Sequence, residues 1–109
     1  MSLNNAEIFN AYEAAGQLLD AEMPVAFAFK IARLLKDLEP IRMAIQVCIE
    51  KMKGSDGVPD PEKLNQLLRE KVDVSAPTFT EREIKEALKE VTPKVITSLM
   101  PFIEETVNG

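Results

Sequence analysis

The sequence predicts a mainly α-helical fold: a long helical hairpin with a kinked second helix, followed by short C-terminal helices and a short extended segment. Two patterns carry that prediction. Phe27, Ile31, Leu34, Leu38, Ile41, Ile45, Cys48 and Met52 keep an unbroken 4-3-4-3-4-3-4 spacing. Such a spacing places its apolar side chains on one stripe of a helix roughly 38 Å long, at 1.5 Å per residue. A stripe this narrow and sustained meets other helices by coiled-coil-like packing. The second pattern is punctuation by proline and glycine, at Met23-Pro24, across Gly54 to Pro59, at Pro61 and at Thr92-Pro93. Together these divide a single domain, 1–109, into a hairpin over 1–53, a loop over 54–60 and a C-terminal helical segment over 61–109.

The first helix is expected to start at Asn5 as N-cap and to end near Ala21. Ile8, Tyr12, Ala15 and Leu19 form its main stripe, and Ala11, Ala14 and Leu18 form a second stripe beside it. Small residues permit close approach, so this helix is expected to be packed on two sides. Pro24 suits a first helical turn, where its missing N–H is unpaired in any case, and the second helix is expected to run from 24 to about 53. Pro40 is the objection, because an interior proline deletes a hydrogen bond and clashes with the preceding turn, at about 3 kcal/mol. Leu38 and Ile41 keep the seam in register across it. Two unrelated helices would have no reason to share a phase, so the helix is read as continuous.

Beyond the glycine-containing loop, Asp60-Pro61-Glu62 restarts a helix with a cap, a proline and a first-turn acid, and Leu64, Leu67 and Leu68 give it an apolar face. Val72-Asp73-Val74-Ser75-Ala76 alternates and reads as extended, with Pro77 keeping it out of a sheet interior. Thr80 to Glu83 matches a capping box for a helix over 81–90 carrying Ile84, Ala87, Leu88 and Val91. Thr92-Pro93 opens the last helix, with Ile96, Leu99, Met100 and Ile103 as its apolar set, and Pro101 must bend or end it. Met1-Ser2-Leu3 reads like an expression-vector leader and is given no structural weight. The first helix is too short to cover the seam beyond Pro40. Either the C-terminal helices or a second copy must cover Ile41, Ile45, Cys48, Ile49 and Met52.

Composition narrows the function classes. Hydrophobic content of 46% with 28% charged residues is ordinary for a globular protein. No stretch approaches the run of apolar residues that a membrane span needs, and the N-terminus lacks signal-peptide character. The net charge is −5 and uneven: residues 22–53 carry six bases against four acids, residues 54–109 seven against eleven. An acidic chain without a dense basic block is poorly suited to phosphate backbones. Lys30, Arg33 and Lys36 recur on one side of the long helix and read as a solvated face. The single cysteine, Cys48, is expected to be a buried, inert thiol, which by default places the protein in a reducing, cytoplasmic setting.

Residues suited to chemistry are sparse. Without histidine the chain lacks the usual neutral-pH base and the commonest metal ligand. Its glycines, at 16, 54, 57 and 109, form no phosphate-cradling spacing. Asp56, Asp60 and Glu62 fail the alternation of a calcium loop, since Pro59 and Pro61 interrupt and Asp60 serves as a cap. Glu104 and Glu105 read as a solvated terminus. A helix-turn-helix over Thr80 to Ile103 would present Lys94, Thr97 and Ser98 beside a helix bearing Glu81, Glu83, Glu86 and Glu90, which is poor chemistry for a DNA groove. No catalytic, cofactor or metal residues are assigned.

Several landmarks resemble a group of small proteins encoded by phages and prophages. They are Met23-Pro24 leading into Ala28, Lys30-Ile31-Ala32-Arg33-Leu34, the glycine-containing loop, Leu67-Leu68, Val72-Asp73-Val74, Thr92-Pro93, Leu99 and Phe102-Ile103. In that group a helical hairpin precedes a short extended segment and a final small helix. The group has no established activity, so the resemblance implies a phage or prophage origin and no residue roles. The expectation is a non-enzymatic interaction or assembly protein that needs no cofactor. It would form a homo-oligomer, with a dimer favoured, or dock a partner helix through the eight seam residues. The alternative is a small acidic regulator that occupies the nucleic-acid surface of a host protein.

Overall fold

Two adjacent asparagines open the first helix, and they divide the work between them. A computed structural model of the chain, which describes residues 1–88 and 90–104, places α1 over Asn5–Leu18. Its N-cap is Asn4, one residue earlier than expected. The Asn4 side chain accepts from the Glu7 N–H at 2.8 Å, and the Glu7 carboxylate accepts from the Asn4 N–H at 3.1 Å. Only Asn4 has a glutamate three residues on, so only Asn4 can close a capping box. Asn5 turns inward instead. It is 4% exposed, and its Nδ2 donates to the Leu67 carbonyl at 2.8 Å.

Helix α1 buries Ile8, Ala11, Ala14, Ala15 and Leu18 and ends at Leu18 rather than near Ala21. Leu19, expected on the inner stripe, is 48% exposed; its backbone is still helical, but at about 100° per residue it lies to one side of the face that Ala11, Ala14 and Leu18 bury. The alanines do what small residues allow: α1 is packed by α2 (Val25–Met52) on one side and by α5 (Pro93–Leu99) on another. The second helix runs unbroken through Pro40, as the shared register of Leu38 and Ile41 requires. No helix among the described residues is long and apolar enough to cross a membrane.

Lys53 and Pro59 bridge the base of the loop after α2, and Gly57 turns it with φ of +76°. That conformation suits a residue without Cβ. The Asp56 carboxylate accepts from the Val58 N–H, so it serves the turn. Helix α3 (Pro61–Arg69) starts at Asp60, whose side chain accepts from the Glu62 N–H, and buries Leu67.

Strand pairing was the least legible part of the chain. Strand β1 (Ser2–Asn4) pairs antiparallel with β2 (Lys71–Asp73), Leu3 standing opposite Val72. Beyond them Met1 and Val74 exchange hydrogen bonds at 2.8 and 3.0 Å. Met1-Ser2-Leu3 is therefore structural, with Leu3 only 7% exposed. Strand β3 (Phe79–Thr80) pairs in parallel with β4 (Ile103–Glu104). Strands this short carry no period that a sequence could show.

The C-terminal helices are shorter than expected. Helix α4 covers Glu81–Ala87 instead of 81–90; Lys89 and Glu105 lie outside the described residues. Thr80 accepts from the Glu83 N–H, but the expected box is only half made, because the Glu83 carboxylate reaches to Lys30 instead. Helix α5 starts at its Thr92 cap and ends where a 3₁₀ turn, Met100–Phe102, absorbs Pro101. That turn rotates Met100 outward, to 59% exposure, and Phe102 inward, to 0%. Val95, Leu99 and Phe102 are thus buried, Ile96 and Ile103 of the expected set pack half-buried against the core, and only Met100 leaves it.

Candidate interaction surface

The seam of α2 is structural for most of its length. Phe27, Ile31, Leu34 and Leu38 are buried in the main core, and Phe27 meets the Phe79 ring at 5.5 Å between centroids with a tilt of 56°. Past Pro40 the cover thins. Ile45 is still 3% exposed and α3 packs on this stretch, so part of the C-terminal half does fold back over the seam. Ile41 and Met52 are half-buried.

Cys48 corrects the expectation of a buried thiol, since it is exposed. The reason lies in helix geometry. A straight α-helix drifts by about 20° per heptad against a 3.5-residue repeat, so three heptads beyond Phe27 the stripe has turned some ~60° off its contact line. Cys48 instead borders a shallow depression of about 360 Å³ between Pro40, Ala44, Leu67 and Val72. Asn5 also borders it, and the Asn5 Oδ1 is buried without a partner among the described residues.

The opposite side of α2 carries a surface that the seam did not announce. Val25, Phe29, Ala32, Lys36, Pro40, Met43 and Val47 are all exposed. At about 100° per residue they fall within a stripe some ~80° wide, roughly opposite the seam. The four large apolar members are 86, 66, 55 and 53% exposed at Val25, Phe29, Met43 and Val47. Scattered apolar side chains are normal on a surface; here they form two pairs on one stripe, Val25 with Phe29 and Met43 with Val47, with Ala32, Lys36 and Pro40 between them. Its sequence signal is the 3- and 4-residue spacing, masked by the stronger seam in the same helix.

A second feature lies where the hairpin turn meets α4. Leu19, Met23, Pro24, Ala28, Ala87 and Leu88 line a groove of about 970 Å³, and Glu22, Glu86 and Glu90 stand at its rim. Lys30 and Glu83 pair at 2.8 Å beside it. Among the described residues no group of three metal-ligating side chains comes together. Lys94, Thr97 and Ser98, the helix-turn-helix candidates, lie on α5, which packs against α1. Comparison with protein-family models, curated proteins and solved structures returns no match to this chain.

Proposed function

We propose that this protein is a non-enzymatic interaction or assembly module of phage or prophage origin, which works by docking an apolar helix face on another polypeptide. The observation that carries this reading is the outward stripe of α2, where Val25, Phe29, Met43 and Val47 stay in water although the core needs none of them. Leaving such residues exposed forgoes about 25 cal/mol for each Å² of apolar surface. A docking partner recovers that term. The origin rests on the resemblance of the Met23-Pro24 to Phe102-Ile103 landmarks. A reducing, cytoplasmic setting is part of this proposal, since one cysteine can form no internal disulfide.

A photo-reactive residue at Phe29 tests the reading in cells that produce the protein. Adducts with polypeptide, its own or foreign, are expected there and not from the same residue at exposed Arg82. Position 29 yielding no polypeptide adduct would overturn it.

The acidic rim of Glu22, Glu86 and Glu90 favours a second reading, a small regulator that occupies a basic, nucleic-acid-binding surface of a host protein. Genomic neighbourhood separates the two: head and tail genes favour assembly, early lysogeny genes favour regulation.

A further inference from the structure

The outward stripe of α2 is symmetric about its midpoint. Its spacing, 4-3-4-4-3-4 from Val25 to Val47, reads the same from either end. The side chains follow suit: Val25 and Val47 close the ends, Phe29 and Met43 come next, Ala32 and Pro40 follow, and Lys36 is the midpoint. A two-fold interface uses one patch twice, so the patch must complement itself. A stripe symmetric about its midpoint does so when two helices lie antiparallel.

We infer that the occupant of this stripe is a second copy of the same chain, antiparallel, with the two-fold axis beside Lys36. Phe29 then packs against the partner's Met43, and Val25 against the partner's Val47. This inference rests on the interaction reading above and names its partner.

Charge placement agrees with that arrangement. Glu39 lies on one flank of the stripe, three residues from the midpoint, while Arg33 and Asp37 lie on the other. An antiparallel copy brings Lys36 within reach of the partner's Glu39 and Arg33 within reach of the partner's Asp37, each twice by symmetry. Within the chain, none of these four forms an ion pair with another described residue. The two Lys36 side chains approach each other at the axis, and the Glu39 carboxylates offset their repulsion. From Val25 to Val47 the stripe is about 33 Å long and about 10 Å wide, some ~330 Å² per copy. A standard interface buries ~800 Å² per partner, so this dimer belongs to the weak, concentration-dependent class.

Cysteine cross-linking of the full chain decides the matter, with Cys48→Ser removing the native thiol. Under mild oxidation Lys36→Cys should give a disulfide dimer on its own, because the axis places the two copies of that residue together. Phe29→Cys and Met43→Cys should each give none alone and a mixed dimer when combined. All three positions are exposed, and circular dichroism checks that each variant folds. Self-linking at 29 and 43 as efficient as the mixed reaction overturns the antiparallel register, and the lack of any dimer overturns the second copy. Photo-adducts at Phe29 with foreign protein alone would also sink the inference while leaving the interaction reading intact; no adduct at all would sink both.

Discussion

The Lys30 ammonium contacts both carboxylate oxygens of Glu83, at 2.8 and 3.1 Å, and stands 5.0 Å from the centroid of the Phe79 ring. One side chain of the long helix therefore ties down the first turn of α4 and caps the aromatic face of β3. Glu83 gains from both ends, since a carboxylate in a first turn also faces the positive end of the helix dipole. Half-exposure limits the strength of the pair, with 32% of Lys30 and 42% of Glu83 open to solvent.

Removing that contact should be felt, but modestly. Lys30→Met is expected to destabilise the protein by about 0.5–1.5 kcal/mol, combining a screened ion pair with a cation–π contact. A double-mutant cycle with Glu83→Gln, read by urea denaturation, should give a coupling below ~1 kcal/mol that shrinks as salt is raised. A coupling that ignores salt would contradict this account.

Ile45 and Gln46 are neighbours with opposite fates. Ile45 is 3% exposed, whereas the Gln46 amide reaches the exposed Glu50 carboxylate at 3.2 Å. Ile45→Asp should cost several kcal/mol, on the order of 3–5, because it buries an unpaired charge. Gln46→Asp should stay within about 1 kcal/mol. Thermal melts by circular dichroism distinguish them, and equal melting points would refute the assignment of the seam face.

Pro40 sits exposed inside an unbroken helix. Replacing it with alanine restores a donor and removes a clash with the preceding turn, so Pro40→Ala should gain up to ~3 kcal/mol, less whatever packing has adapted to the proline. Helical content should hold or rise. A clear loss of helix by circular dichroism would mean that two helices meet at residue 40.

Glu50 illustrates local electrostatics at the end of α2. A hydrogen bond and the charge of Lys53 hold its carboxyl below the usual carboxylate range, with Gln46 adding a further hydrogen bond. A depressed carboxyl stabilises the fold above its unfolded pKa, and that contribution fades as pH falls through the lowered value. NMR titration should therefore place the Glu50 midpoint below that of an ordinary glutamate. Lys53→Met should raise the Glu50 midpoint back toward the ordinary range, and an unmoved midpoint would exclude Lys53 as the cause.

Much of the fold was legible because its signals are periodic or local. The seam from Phe27 to Leu38, the Asp60 and Thr92 caps and the stop at Pro101 need only neighbours in sequence to be read. Cys48 was misplaced because a heptad count assumes about 3.5 residues per turn, while an α-helix of about 3.6 drifts away from it. Glu83 was assigned to its local box because the competing cation, Lys30, is 53 residues distant. Strands β1, β3 and β4 were missed because two or three residues show no alternation, and their partners are remote in sequence. The outward stripe of α2 was spelled out in the sequence, yet only exposure could show that no described residue covers it.

The pairing of β1 with β2 sets an order of events during synthesis. Leu3 leaves the ribosome 69 residues ahead of its partner Val72. At about 5–20 residues per second, that delay is several seconds. Helices α1 and α2 are complete before then and can associate as soon as Met52 emerges. The N-terminal strand must wait unpaired until Lys71–Asp73 arrives. Strand β1 thus waits on a partner made well after it, and the newborn hairpin carries an open strand edge for as long as translation of the next twenty residues takes.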